Sequence, residues 1–137
     1  MSANLLSCDI GLKRIGVAIY TQGIALPLPP ILRKNRTQAS LELSTLLKER
    51  QITKLIIGLP KSQREEEIHE MERRIRHFIS LLDFGGEVIY IDEGYSSVEA
   101  MERLKTLGKK ERSEKIKNGE LDSLSALIIL ERYLGVL

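Results

Sequence analysis

The chain has no tryptophan, one cysteine, and an aromatic content of 4%. Each scarcity argues against a class of protein. With so few aromatic side chains, recognition by stacking base after base on a platform is not the expected mode. The one thiol, Cys8, lies inside an apolar run, so there is no disulfide framework and a reducing compartment fits. No apolar stretch approaches a membrane span, and the first residues, Met1 to Asn4, lack the basic region that opens a secretory signal. Neither sign of charge dominates: 21 Lys and Arg face 19 Asp and Glu, for a net +2. What is present is 137 residues, 42% hydrophobic and 29% charged. That describes one domain, 1–137, large enough for a continuous core and expected in the cytoplasm.

Residues 5–9 and 15–20 read as apolar strands joined by a short Gly-containing turn, most simply an antiparallel hairpin. A third extended stretch, 23–32, carries Pro27, Pro29 and Pro30, which cannot donate to a ladder and so belong at a sheet edge. Residues 37–50 put Ala39, Leu43, Leu46 and Leu47 on one helical face. The short apolar run Lys54-Leu55-Ile56-Ile57-Gly58-Leu59-Pro60 suits a strand buried on both faces. Ser62 and Glu65 have capping-box spacing, opening a helix with Ile68, Met71, Ile75, Phe78, Ile79 and Leu82 on one side and a stop at Gly85-Gly86. Val88 to Ile91 is a further buried strand, and Ser96 with Glu99 repeats the capping box before a helix to about Leu107. A last helix spans about 121–133. The alternation of strands and helices after residue 37 indicates an α/β sheet preceded by a hairpin.

Three acidic positions lie at element ends beside apolar residues: Asp9, Asp92 or Glu93, and Asp122. Ligands of open α/β sheets gather beyond the carboxyl ends of strands. Asp9 reaches that place beside two glycines, Gly11 and Gly16, that let other groups approach the backbone. Its plain alternative is a turn aspartate. Asp92 and Glu93 are adjacent and therefore face opposite sides of a strand, so one of them is expected in a site. Asp122 shares a helical stripe with Ser125, Ala126, Ile129 and Tyr133, which is small or apolar and should pack on the sheet. Its alternative is a first-turn aspartate serving only the helix. Glu99 is explained by capping, and His69 and His77 by a polar helix surface. Three carboxylates without imidazole or thiolate make a hard oxygen site that selects Mg²⁺ or Mn²⁺ over zinc. Such ions can activate water and stabilise the leaving oxygen of a phosphodiester.

Positive charge is concentrated between Arg103 and Lys117, where Lys109, Lys110 and Arg112 form the centre of a basic, glycine-containing segment. A flap over a polyanion and a solvated loop both account for it. Lys13 and Arg14 at the hairpin turn extend the same field.

The motifs Asp9-Ile10-Gly11-Leu12-Lys13-Arg14-Ile15-Gly16-Val17-Ala18, Ile57-Gly58-Leu59-Pro60, Asp92-Glu93 with Ser96-Ser97-Val98-Glu99-Ala100, and Leu121-Asp122-Ser123-Leu124-Ser125-Ala126 resemble those of the YqgF-type (RuvX-type) RNase H-like nucleases. The resemblance covers essentially the whole chain, in order. It implies an RNase H-like fold: a five-stranded mixed sheet, with hairpin and edge strand followed by parallel strands, flanked by helices. It implies Asp9, Glu93 and Asp122 as catalytic and metal-holding acids, choosing Glu93 over Asp92. The activity it implies is a metal-dependent nuclease processing the 5′ end of pre-16S rRNA in ribosome biogenesis, and the basic residues read from charge, Lys13, Arg14, Lys109, Lys110 and Arg112, are then expected on the nucleic acid. Resolution of branched DNA at Holliday junctions is the alternative activity, and a catalytically weak nucleic-acid-binding factor is the other. The chain is a monomer or a homodimer on this reading; cutting a junction symmetrically needs two sites. Two departures bear on substrate contacts: Gly94 stands where the family usually has arginine, and Lys61 to Glu67 lacks the family's glycine. Actin-like and sugar-kinase ATPases share an Asp-x-Gly strand turn but need two lobes.

Overall fold

A computed structural model describes residues 4–59, 65–92 and 120–135. The apolar, β-branched runs at the start form strands β1 (Asn4–Ile10) and β2 (Arg14–Thr21), paired antiparallel with Ser7 opposite Ala18 and Asp9 opposite Gly16. The turn between them is tight. The Gly11 amide donates to the Arg14 carbonyl at 3.0 Å, and a β-carbon on Gly11 would stand 2.6 Å from that oxygen. Strand β3 (Ile24–Leu32) pairs antiparallel with β2 and ends the sheet, where its prolines leave no inner ladder unsatisfied.

Helix α1 (Arg36–Glu49) returns the chain to β4 (Ile52–Leu59), which lies parallel to β1. The helix begins one residue earlier than its apolar pattern predicts, because Asn35 and Gln38 form a capping box. The Asn35 side chain accepts from the Gln38 amide at 2.7 Å, and the Gln38 side chain accepts from the Asn35 amide at 3.4 Å. Helix α2 (Glu65–Ser80) then leads to β5 (Glu87–Asp92), parallel to β4. It ends before the expected glycine stop: Leu81 and Leu82 donate to Phe78 and Ile79, tightening the last turn to three-residue bonds. The strand order is β3-β2-β1-β4-β5, a five-stranded mixed sheet as expected. Helix α3 (Glu120–Leu134) completes the described chain. The Ser62 and Ser96 capping boxes and the helix after Ser96 lie outside the described residues.

Strand alternation sorts the core into two layers. Leu6, Cys8, Val17, Leu55 and Ile57 pack on one face with Leu43, Leu47 and Phe78 of α1 and α2. Leu5, Ala18 and Ile56 pack on the other face with Ala126, Ile129 and Leu130 of α3. One expectation needs correction. Val88 to Ile91 are half-buried, not fully buried, because β5 is the outer strand of the sheet. No helix among the described residues is long and apolar enough to cross a membrane.

Candidate active site

Asp9 occupies the second-to-last position of β1. Ser7, two residues earlier and therefore on the same face, donates its buried hydroxyl to the Ala126 carbonyl of α3 at 2.6 Å. Asp9 thus points to the α3 side of the sheet, at the carboxyl end of a central strand.

Across the ladder from Asp9 is Gly16, and its missing side chain decides where α3 begins. A β-carbon there would lie 1.9 Å from the Asp122 carbonyl oxygen and 2.1 Å from its carbon. These are backbone atoms, so no side-chain rotation relieves the clash. The first turn of α3 sits in the notch left by this glycine, as interior strand glycines permit. Ser123 fastens it there, its buried hydroxyl accepting from the Val17 amide at 3.3 Å. Two consecutive strand residues and two consecutive helix residues therefore carry Asp122 to Asp9, over more than 100 residues of sequence.

The electrostatics follow from that placement. The Asp9 carboxyl is pushed up to about 6, first by burial and then by the neighbouring charge of Asp122. Asp122 is also raised by burial, although the Arg14 guanidinium opposes the rise. Arg14 Nε lies 3.3 Å from Asp122 Oδ2, both side chains about 31% exposed. Among the described residues, two carboxylates crowd together in a half-dry place with Arg14 beside them, so negative charge is in excess there. A hard divalent cation would relieve it, and oxygen donors alone suit Mg²⁺ or Mn²⁺. The donor set fits such an ion. Among the described residues, however, no group of three or more Asp, Glu, His or Cys side chains gathers.

Of the residues expected to act, Asp9, Asp122 and Arg14 meet. Lys13 is exposed in the β1–β2 turn. Asp92 pairs with Leu59 and shares the parity of Val88 and Tyr90, which pack against the α1–α2 layer. It belongs to the opposite face from Asp9. Glu93, Lys109, Lys110 and Arg112 lie outside the described residues. His69 and His77 are exposed, as their polar helix face suggests. Ser7 and Ser123 escaped the sequence reading as positioning groups. The available signal was a serine alternating into an apolar strand and a small residue beside Asp122.

Comparisons with known proteins bear on this arrangement. Residues 3–135 match the family model described as "RuvX: Holliday junction resolvase". A Helicobacter pylori protein named "Putative pre-16S rRNA nuclease" is 53% identical over 129 residues, covering 94% of this chain and 93% of its own. A Helicobacter hepaticus protein of the same name is 48% identical over 134 residues, covering 98% and 96%. Among solved structures, T. thermophilus RuvC in complex with Holliday junction substrate superimposes with a TM-score of 0.58 at 11% identity, covering 98% of this chain and 96% of that one. The fowlpox virus Holliday junction resolvase gives 0.53 at 16% identity, covering 98% and 99%. At such identities the two structures speak for the fold.

Proposed function

Because the chain belongs to the YqgF/RuvX-type RNase H-like nuclease family, we propose that it is a metal-dependent nuclease that processes the 5′ end of pre-16S rRNA in the cytoplasm. The observation that carries the reading is the meeting of Asp9 with Asp122 at the Gly16 notch. A pair of like charges brought together in a partly buried place is costly to keep, which marks it as a site to which a cation or an anionic substrate's metal belongs. Glu93 is the third acid of the proposal. Its support is the family motif together with the position of Asp92, whose side of the sheet is the wrong one.

In this reading Asp9 and Asp122 hold Mg²⁺ or Mn²⁺ with Glu93. When bound, the ion supplies Lewis-acid stabilisation of a phosphodiester and a lowered pKa for attacking water. The protein's own groups do the rest. Arg14 favours the ionised form of Asp122 against its burial and offers a cation to the phosphate. Lys13 extends that field along the backbone, and Lys109, Lys110 and Arg112 are assigned the same task. Burial behind α3 keeps the carboxylates poorly hydrated, so each charge acts more strongly than it would in water.

Matched pre-16S leader RNA and DNA duplexes, incubated with pure protein and Mg²⁺ or Mn²⁺, test the proposal. Wild type is expected to cut the RNA near its mature 5′ end, and Asp9→Asn and Asp122→Asn to leave it intact. Undiminished cleavage by either variant refutes the assignment. The family description favours a second reading, resolution of four-way DNA junctions, which requires two sites related by a two-fold axis. Symmetric cutting of a junction by a dimer would select it. Binding of both nucleic acids without cleavage would select the weak binding factor, consistent with Gly94 in place of arginine.

A further inference from the structure

On the side of β1 away from Asp122, a cleft of about 480 Å³ opens against the β1–β2 turn. Its polar wall consists of Arg33, Arg36, Arg73, Arg74 and His77, and among the described residues no carboxylate lines it. Those residues come from the link just after β3, the start of α1 and the middle of α2, so the cluster is assembled by the tertiary fold. Arg74 is balanced by Glu70 at 2.7 Å. Arg36 and Arg73 have no ion pair or hydrogen bond among the described residues.

Arg33 is fixed in place. It donates to the Gly11 carbonyl at 2.5 Å, and its guanidinium lies 4.9 Å from the centre of the Phe78 ring. A guanidinium held by a carbonyl and an aromatic face loses little freedom on meeting an anion. Burial, and after it the nearby charge of Arg36, lower its pKa. Arg36 opens α1, where the helix dipole already disfavours a cation, and the first turn holds no acidic residue to compensate. Arg33, Arg36 and Arg73 thus gather positive charge that no carboxylate among the described residues pairs with.

Gly11 and Leu12 line the cleft, and Gly11 is two residues beyond Asp9. The chain between them reaches at most about 7 Å. A strand with a phosphate at Asp9 is therefore within reach of this rim, where Leu12 is 63% exposed.

We infer that the cleft is a second nucleic-acid contact, in which Arg33, Arg36 and Arg73 hold backbone phosphates of a strand running past the β1–β2 turn from the acidic site. The inference rests on the nucleic-acid reading above. Contacts of this kind bind charge without reading sequence, so RNA and DNA should be affected alike.

The test is fluorescence anisotropy with labelled RNA and DNA duplexes from 50 to 200 mM KCl, in an Asp9→Asn background that removes cleavage. Adding Arg36→Gln and Arg73→Gln is expected to weaken binding by at least about tenfold at 100 mM and to reduce the salt slope by about 2. Lys48→Gln with Lys54→Gln removes the same charge at the opposite end of the sheet, from pairs with Asp83 and Glu87, and should leave the slope unchanged. An unchanged slope in the arginine variant, or an equal loss in the lysine variant, overturns the inference while leaving the nuclease reading intact. Inorganic phosphate is titrated calorimetrically alongside. Phosphate binding that the arginine changes abolish, with duplex binding untouched, would make the cleft a free-anion site and also overturn it. If the Asp9→Asn protein binds neither duplex, both the inference and the reading beneath it fall.

Discussion

Replacing Asp9 with asparagine removes a charge and keeps the shape, so it isolates the electrostatic cost of the site. In the folded chain Asp9 keeps its proton up to about pH 6, against an ordinary value of 3.8. Between those values the native state binds more protons than the unfolded chain. The contribution of Asp9 to stability is therefore complete below about pH 3.8 and is lost as the pH rises through 6. The displacement of about two pH units corresponds to about 3 kcal/mol at pH 7. A carboxamide in its place cannot ionise and escapes that loss. For a domain of this size about 3 °C of melting temperature accompanies each kcal/mol, so Asp9→Asn should melt up to about 10 °C above wild type at pH 7.5 without divalent ions. The two proteins should converge near pH 4. Mn²⁺ should raise the melting temperature of wild type and leave the variant unmoved, because an ion that binds only the native state stabilises it. Calorimetric scans from pH 4 to 8 provide the readout. Parallel curves across that range, or a variant less stable than wild type at pH 7.5, would refute the claim that Asp9 is held ionised at a cost.

Other substitutions probe the remaining parts of the site. Gly16→Ala drives a β-carbon into the Asp122 backbone and should cost about 1–3 kcal/mol in urea denaturation, together with cleavage activity. Gly85→Ala, which meets nothing within 4 Å, should be neutral or stabilising by comparison. Arg14→Gln removes the cation that opposes the rise of Asp122, so the acidic limb of a cleavage pH profile should move to higher pH. The Cys8 thiol is buried, and burial followed by the Asp9 charge pushes its pKa upward. It should resist a chromogenic disulfide in native protein and react at once in denaturant.

The elements were legible because the rules that shape them are local. The β-branched runs, the prolines of β3 and the apolar stripe of α2 each act over a few neighbouring residues, and strands and helices formed within a residue or two of where those patterns begin. The capping box of α1 was equally local, since Asn35 and Gln38 stand three apart, but its asparagine–glutamine form is less conspicuous than a serine–glutamate pair. Half-burial of β5 was not legible. An edge strand and a central strand carry similar residues, and only the strand order separates them.

For the site, the sequence by itself determined the candidates: acids at element ends, glycines beside one of them, and a stripe on the last helix that should lie against the sheet. Tertiary structure decided which of these act together. The Gly16 notch has meaning only once α3 arrives to fill it, and Val17 and Ser123, joined by a hydrogen bond, are 106 residues apart in the chain. Asp92 was set aside by the parity of a strand whose inner face is known only after both layers have packed. The arginine corner draws on three separate elements, so no window of sequence displays it. Periodicity fixes a residue's side relative to its neighbours, but charge and volume act through space, and the groups that meet there are chosen by the packing of the whole chain.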